Sequence, residues 1–311
     1  MIKYDILLDD LKTYREQDLY HGITQPISIR AGHHLYFVTI DEDGTLTIYT
    51  RYYYCLKALL NKQFKTMDEQ MSISAYMCFI EPMSQAMFKG FNRAGLLPDS
   101  YATKDTSVIC LSEGAFPRFI SDDEADALIT VVRVLREALA AIKETNITID
   151  NTSQYYRYAD LTHQMFVDTL EYEKPHQHIQ ASVDNQSIQD LKDRPKSGTW
   201  YVALMYIPMR EKGAEGFPAL LLAYDREADH FVVNSLIAYE KKNLIYRTFI
   251  ENLNRYDHLP SKIIAYDYKT LCYIKDFIDR TQINYDLKND VFFKKCYQYA
   301  ENLIETAEII K

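Results

Sequence analysis

Apolar positions along the chain follow two periods, and each predicts regular structure. In residues 4–19 they recur every three or four positions, which predicts a helix at the start of the chain. The β-rich runs 35–40 and 46–49 flank an Asp/Gly turn at 41–44, which predicts a hairpin. The first half therefore opens with a helix followed by antiparallel strands.

The clearest helix signal begins at Ser121. Ser121 and Glu124 have the spacing of a capping box, and apolar residues continue on one face from Leu128 to Ile142. The other elements predicted in the first half are an early strand at 26–29, a helix at 55–61, a strand at 73–80, a helix at 84–93, a strand at 108–111 and a strand-like segment at 165–172.

The second half repeats this order of elements. The predicted strands are 200–207, 217–224, 231–238, 263–266 and 283–287, and the predicted helices are 244–253, 271–278 and 292–310. Both halves can be written βββαβαβα, which predicts an α/β fold class with two mixed sheets and helices packed on them. A diverged duplication explains the repeat, and so does chance, because many α/β domains share this order.

Length and composition support two domains. The chain has 311 residues, 47% of them hydrophobic, and single cores usually divide at about this size. A polar, irregular stretch from about residue 145 leads to a boundary that we place between residues 185 and 186. The predicted domains are therefore 1–185 and 186–311.

The sequence also predicts a cytoplasmic protein that does not enter a membrane. No apolar run approaches the ~20 residues that span a bilayer, and the first ten residues carry acids where a signal peptide needs a basic start. The five cysteines occur singly, as is typical of reduced core residues.

Charge and aromatic content bear on the class of partner. The net charge of −9 disfavours nucleic acid, because binding to phosphates is driven by Lys and Arg. The 26 tyrosines are typical either of an interaction surface or of half-buried strand and helix faces. Glycine-rich nucleotide-binding motifs are missing from the sequence, so we expect no nucleotide cofactor.

The order of elements in the second half resembles the ribonuclease H-like fold in topology. That resemblance implies carboxylates holding two metal ions, Mg²⁺ or Mn²⁺, for phosphoryl transfer. Glu251 on the first helix, Asp267 after the fourth strand and Glu301 or Glu305 on the last helix are candidates. The first strand, 200–207, has no carboxylate.

Asp225 supplies the missing acid only if 217–224 is counted as the first strand. Each candidate also has a structural interpretation. Asp225 is suited to open a turn, Asp267 to cap a helix, and Glu251 to face solvent. The sequence leaves both interpretations open.

A second resemblance rests on Trp200, Pro208, Pro218 and Asp225, together with the segment 259–264. On these residues the second half resembles the C-terminal domain of uncharacterised bacterial proteins that pair two domains of unknown function. The first half is similar more loosely, through Asp43-Gly44 and Phe116-Pro117-Arg118-Phe119. The resemblance implies no activity and no site residues.

Two functional hypotheses follow. The first is a non-catalytic protein that binds another protein or a second copy of itself. The alternative is a divalent-metal-dependent phosphoesterase or nuclease that uses Asp225, Glu251 and Asp267 with Mg²⁺ or Mn²⁺. No cofactor is expected under the first hypothesis.

Overall fold

The chain divides into two compact units. The computed structural model describes residues 3–50, 71–91, 106–145, 147–149, 154–169, 185–209, 213–287 and 293–309. The first unit comprises Met1–Lys65 and Ser72–Tyr172, and the second comprises Thr66–Met71 and Glu173–Lys311. The boundary predicted between residues 185 and 186 stays a prediction, and the predicted helix 55–61 lies outside the described residues.

The first unit contains an eight-stranded mixed sheet. Its described helices are α1 (Lys3–Gln17), α2 (Gln85–Phe91) and α3 (Asp122–Thr145), and its strands are β1 (Ile27–Ala31), β2 (His34–Ile40), β3 (Leu46–Tyr49), β4 (Ala75–Phe79), β5 (Ser107–Leu111), β6 (Arg118–Phe119), β7 (Gln154–Ala159) and β8 (Gln164–Thr169). The spatial order is β6-β5-β4-β3-β2-β1-β7-β8. Neighbouring strands are antiparallel except β1 and β7, which are parallel.

Helices α1 and α3 pack on each other, and α3 contacts strand β1. Their buried residues, such as Leu7, Leu11, Leu128 and Leu135, form one core with the inward side chains of the sheet. The apolar spacing seen in the sequence therefore corresponds to this buried face, as predicted.

The capping box of α3 is confirmed. The Glu124 amide donates to Ser121 Oγ at 3.3 Å, and the Ser121 amide donates to Glu124 Oε2 at 2.7 Å. Arg118 donates to both oxygens of the same carboxylate, at 2.8 and 2.7 Å. Burial raises the pKa of Glu124, but these hydrogen bonds and the Arg118 charge outweigh it and lower the pKa to about 2. Glu124 thus ties the helix start to strand β6.

The hairpin β7–β8 was only half predicted. The sequence predicts a strand at 165–172, close to β8, but no strand over β7. In the structure Tyr156 and Tyr158 are buried in the core, while Arg157 between them is exposed. The run is therefore an alternating strand in which tyrosine supplies the apolar face.

The second unit contains a five-stranded sheet. Its described elements are α4 (Asn185–Lys192), β9 (Thr199–Tyr206), β10 (Ala219–Asp225), β11 (His230–Ile237), a 3₁₀ helix (Tyr239–Leu244), α5 (Ile245–Leu253), β12 (Lys262–Ala265), α6 (Tyr268–Thr281), β13 (Asn284–Leu287) and α7 (Phe293–Ile309). The spatial order is β11-β10-β9-β12-β13. The order βββαβαβα predicted for this half is confirmed.

Strands β9, β10 and β11 form an antiparallel meander, and β12 and β13 extend it in parallel beside β9. Helix α7 packs on one face through Phe293, Cys296 and Ala300. Helix α6 contacts β9 and β12, and α5 contacts α6 and β11. Strand β10 is buried throughout, which explains its continuous apolar sequence.

The two sheets pair their strands differently. In the first unit β4 joins β3 antiparallel, whereas in the second the fourth strand, β12, joins the first strand, β9, in parallel. Both units share a three-stranded meander with a parallel strand beside its first strand. The two sheets therefore agree in this part of their pairing and differ in the rest, and diverged duplication stays one of two explanations for the repeated order of elements.

None of the described helices combines the length and the apolar character that crossing a bilayer requires. Within the same described ranges, Cys78, Cys110, Cys272 and Cys296 form no disulfide bond.

Candidate functional site

Asp225 is the last residue of β10, and its carboxylate is almost fully buried, with 4% of the side chain exposed. Oδ2 accepts a hydrogen bond from Trp200 Nε1 at 3.0 Å. Oδ1 accepts from the backbone amides of Glu227 and Ala228 at 2.9 and 3.1 Å. The carboxylate therefore fixes the β10–β11 turn on one side and the indole on the other.

The environment of Asp225 keeps it ionised. Burial alone raises the pKa of the carboxyl, but the hydrogen bonds from Ala228, Trp200 and Glu227, with the nearby His258, outweigh it and lower the pKa below its ordinary value. His258 Nε2 lies 3.7 Å from Oδ2. That distance permits an ion pair when the imidazole is protonated, but is too long for a hydrogen bond.

Aromatic rings surround this carboxylate and form with it the Trp200 cluster, which we define as Trp200, Asp225, Tyr256 and His258. The Trp200 ring meets Tyr256 and His258 edge-on, with centroids 6.2 and 6.1 Å away. Trp200 itself is fully buried. His258, in the loop before β12, is partly exposed, with 38% of its side chain accessible.

The turn before β9 approaches the same region closely. Gly198 has φ +72°, and a Cβ there would lie 2.7 Å from Glu227 Oε2. That oxygen accepts a hydrogen bond from the Thr199 amide at 2.8 Å. The positive backbone angle therefore favours glycine at 198, and a Cβ there would also displace the Glu227 side chain from the Thr199 amide.

Asp267 caps helix α6. Its Oδ1 accepts hydrogen bonds from the Thr270 amide at 2.7 Å and from Thr270 Oγ1 at 2.6 Å. Thr270 Oγ1 in turn accepts from the Leu204 amide at 3.0 Å. Asp267 thus holds the helix start against strand β9, which is the capping role that its position in the sequence allowed.

Lys269 lies next to this cap and is completely buried. Its Nζ is 3.8 Å from Asp267 Oδ2 and 4.6 Å from the centre of the Tyr206 ring. A carboxylate and an aromatic face are both favourable neighbours for a buried ammonium. The Asp267 carboxylate is therefore also part of the surroundings of a buried cation.

Glu251 lies on the exposed surface of α5, with 57% of its side chain accessible. Its Oε1 accepts a hydrogen bond from Arg247 Nε at 2.8 Å, one helical turn earlier. This is an ordinary helix-surface ion pair, worth a few tenths of a kcal/mol.

The structure does not bring the three predicted carboxylates together. Asp225 on β10 lies opposite Trp200 on β9, and Trp200 lies opposite Ile263 on β12. Asp267 follows Ile263 by four residues, so it is two strands across and four residues along from Asp225. With standard strand dimensions the two Cα atoms are about 16 Å apart. Among the described residues, no group of three His, Cys, Asp or Glu side chains is placed to hold a metal ion. Of the two candidates on α7, Glu301 is exposed, and the side chain of Glu305 lies outside the described residues.

Sequence reasoning missed His258, Tyr256 and Lys269. A partial signal existed, since Trp200 and Asp225 were both singled out as residues that carry a resemblance, and they are directly hydrogen-bonded. The strand register places Asp225 opposite Trp200, although 24 residues separate them along the chain. This register depends on where strand β10 begins. That starting point is not fixed by composition or period alone.

Comparison with known proteins gives one match. Residues 187–293 match the family model of a domain of unknown function, DUF6930. This segment contains the whole Trp200 cluster, Asp267 and Lys269. No curated protein shows a significant match to the chain, and no solved structure does. The second unit is thus similar to a family whose description states no activity.

Proposed function

We propose that this protein acts by binding, to another protein or to a second copy of itself, and not by catalysis. The observation that carries the proposal is the state of Asp225, the acid on which a metal site would depend. Both of its oxygens accept hydrogen bonds from the protein: Oδ2 accepts from Trp200, and Oδ1 accepts from two turn amides. A carboxylate used in this way has little capacity left for a metal ion.

The topology of the second unit is part of this proposal. Its strand order is a three-stranded meander followed by two parallel strands on the side of the first strand, which supports a resemblance to the ribonuclease H-like fold. Strand β9 carries no acid, and Asp225 lies about 16 Å from Asp267. We propose a ribonuclease H-like domain that serves as a binding module, in a cytoplasmic protein whose net charge of −9 disfavours nucleic acid.

Metal and nuclease assays test the non-catalytic half of the proposal. We expect no Mg²⁺ or Mn²⁺ binding by calorimetry, and no cleavage of RNA, DNA or RNA–DNA hybrid with either ion. Cleavage that disappears in both Glu251→Gln and Asp267→Ser would contradict it. These two substitutions suit the purpose because Glu251 is on the surface and Ser retains a capping oxygen at 267.

Association measurements test the binding half. Sedimentation at micromolar concentrations, combined with affinity capture from a cell extract, should give either a self-associated species or a retained partner. A strict monomer that retains no protein in the capture experiment would contradict the proposal.

A further inference from the structure

Strand β8 is an edge strand with features that favour pairing. Among the described strands it has a neighbour on one side only, β7. Its six residues pair with β7 without a register shift. Residues 164–169 contain no proline, glycine or lysine. Natural sheets use such residues, bulges or very short strands to prevent edge-to-edge pairing.

The other edges of the two described sheets have these protective features. Strand β6 has two residues and β13 has four. Strand β11 is longer, but its register with β10 shifts between Ala223 and Tyr224. β8 is therefore the described edge most suited to accept another strand.

The outward side chains near β8 combine an aromatic ring with opposite charges. Phe166 is 36% exposed, and the Arg157 guanidinium lies over its ring, 4.7 Å from the centroid. Arg157 on β7 also forms an ion pair with Asp168. Both charged side chains keep more than a third of their surface accessible, 45% for Arg157 and 38% for Asp168.

We propose that β8 pairs antiparallel with β8 of a second copy of this chain, joining two eight-stranded sheets edge to edge. The inference rests on the proposed binding function and names its surface and partner. A two-fold axis perpendicular to the sheet places the outward face of both copies on the same side of the joined sheet. Outward side chains of one β8 therefore lie opposite outward side chains of the other. With Val167 opposite itself, Phe166 lies opposite Asp168 of the partner subunit.

Charge complementarity favours this occupant. Because Arg157 lies over Phe166, its guanidinium is brought beside Asp168 of the partner subunit, and symmetry repeats the contact. Opposite charges and aromatic groups at facing positions stabilise a strand pair. The same residues that pair within one chain can thus pair across the interface.

The first experiment places an acid on the edge. Phe166→Glu removes the exposed ring and puts a like charge opposite Asp168 of the partner subunit, so we expect the dimer dissociation constant to rise about tenfold or more by sedimentation equilibrium. Leu236→Glu is the matched control, since Leu236 is 44% exposed on the edge strand β11. It should leave the constant unchanged.

The second experiment separates contacts between chains from contacts within one chain. Arg157→Glu and Asp168→Arg should each weaken self-association, because like charges then face each other both within and between chains. When the two variants are mixed, the contacts within each chain stay repulsive, while both contacts between chains become attractive. The mixed dimer should therefore form more strongly than either variant alone.

The outcomes distinguish this inference from the broader proposal. A wild-type protein that is monomeric at micromolar concentrations but retains another protein would overturn the β8 pairing and leave the binding function standing. Self-association that Phe166→Glu and Leu236→Glu affect equally, or no recovery on mixing, would also reject the β8 edge. A monomer that retains no partner would contradict both.

Discussion

The Trp200 cluster shows how a buried acid can be held by structure alone. Asp225 opens the β10–β11 turn through two amides and reaches back to Trp200 on the neighbouring strand. Each of these donors would lose a partner if the carboxylate turned toward a ligand. The burial that makes Asp225 resemble a catalytic acid is thus explained by its place at a strand end.

Removing the indole donor should expose this role. Trp200→Phe leaves the buried Asp225 carboxylate short of one hydrogen bond, so we expect a loss of about 2 kcal/mol or more in the free energy of unfolding. In a double-mutant cycle with Asp225→Asn, measured by urea denaturation, the two sites should couple by about 1 kcal/mol. Independent effects would contradict the hydrogen bond.

A control for this cycle is His258→Gln. Its imidazole is 3.7 Å from the carboxylate and partly exposed, so this change should cost no more than about 0.5 kcal/mol. A cost equal to that of Trp200→Phe would show that the imidazole, and not the indole, holds Asp225.

At the level of single residues, the sequence predicted the local structural role of a side chain better than it predicted which distant residues that side chain contacts. The capping oxygens of Ser121 and Asp267 and the turn position of Asp225 follow from local backbone needs, which act over a few residues. The contacts of Lys269 with Tyr206 and of His258 with Asp225 join segments far apart in the chain. They depend on strand register and helix placement, which local preferences do not determine.

Among the elements, helix α6 has the most informative connection to its sheet. Asp267 accepts two hydrogen bonds from Thr270, whose hydroxyl accepts one from the Leu204 amide in β9. The cap therefore stabilises the helix start and satisfies a backbone donor of the neighbouring strand. Because of this arrangement, an experiment can distinguish a capping role of Asp267 from a catalytic role.

Two substitutions separate them. Asp267→Ser and Asp267→Ala both remove the carboxylate beside the buried Lys269, so both should lower the free energy of unfolding in chemical denaturation. Asp267→Ser keeps an oxygen for the Thr270 amide and should therefore be about 1 kcal/mol more stable than Asp267→Ala. Asp279→Ala, an exposed acid later in the same helix, is the control for loss of a carboxylate. Equal stability of the Ser and Ala variants would contradict the capping role.

Element order was more predictable than strand pairing. Helical and strand periods located most described elements, because burial of one face imposes the period on the sequence. Strand β7 was missed because its buried positions are tyrosines. In the first sheet the fourth strand, β4, pairs with β3, whereas in the second sheet the fourth strand lies beside the first. Tertiary packing sets this difference, and no local sequence pattern in either half distinguishes the two pairings.

On the scale of the whole molecule, each unit has its own buried core. One core joins α1 and α3 to the eight-stranded sheet, and another lies between α7 and the five-stranded sheet. Trp200, the only tryptophan of the chain, belongs to the second unit. Units with separate cores commonly unfold in separate steps.

Denaturation followed by two probes should therefore give two different curves. Far-ultraviolet circular dichroism reports helices and strands of both units, whereas tryptophan fluorescence reports the second unit alone. We expect the two transitions not to coincide in urea. Superimposable curves with one midpoint would instead indicate a single cooperative unit.

The burial of Trp200 against the rings of Tyr256 and His258 has a practical consequence. The chain carries an intrinsic fluorophore inside the segment that matches the domain of unknown function, next to a partly exposed imidazole. A ligand that reaches His258 would alter the emission of Trp200 without any label. Compound libraries can thus be screened by fluorescence against this half of the molecule before any natural ligand is known.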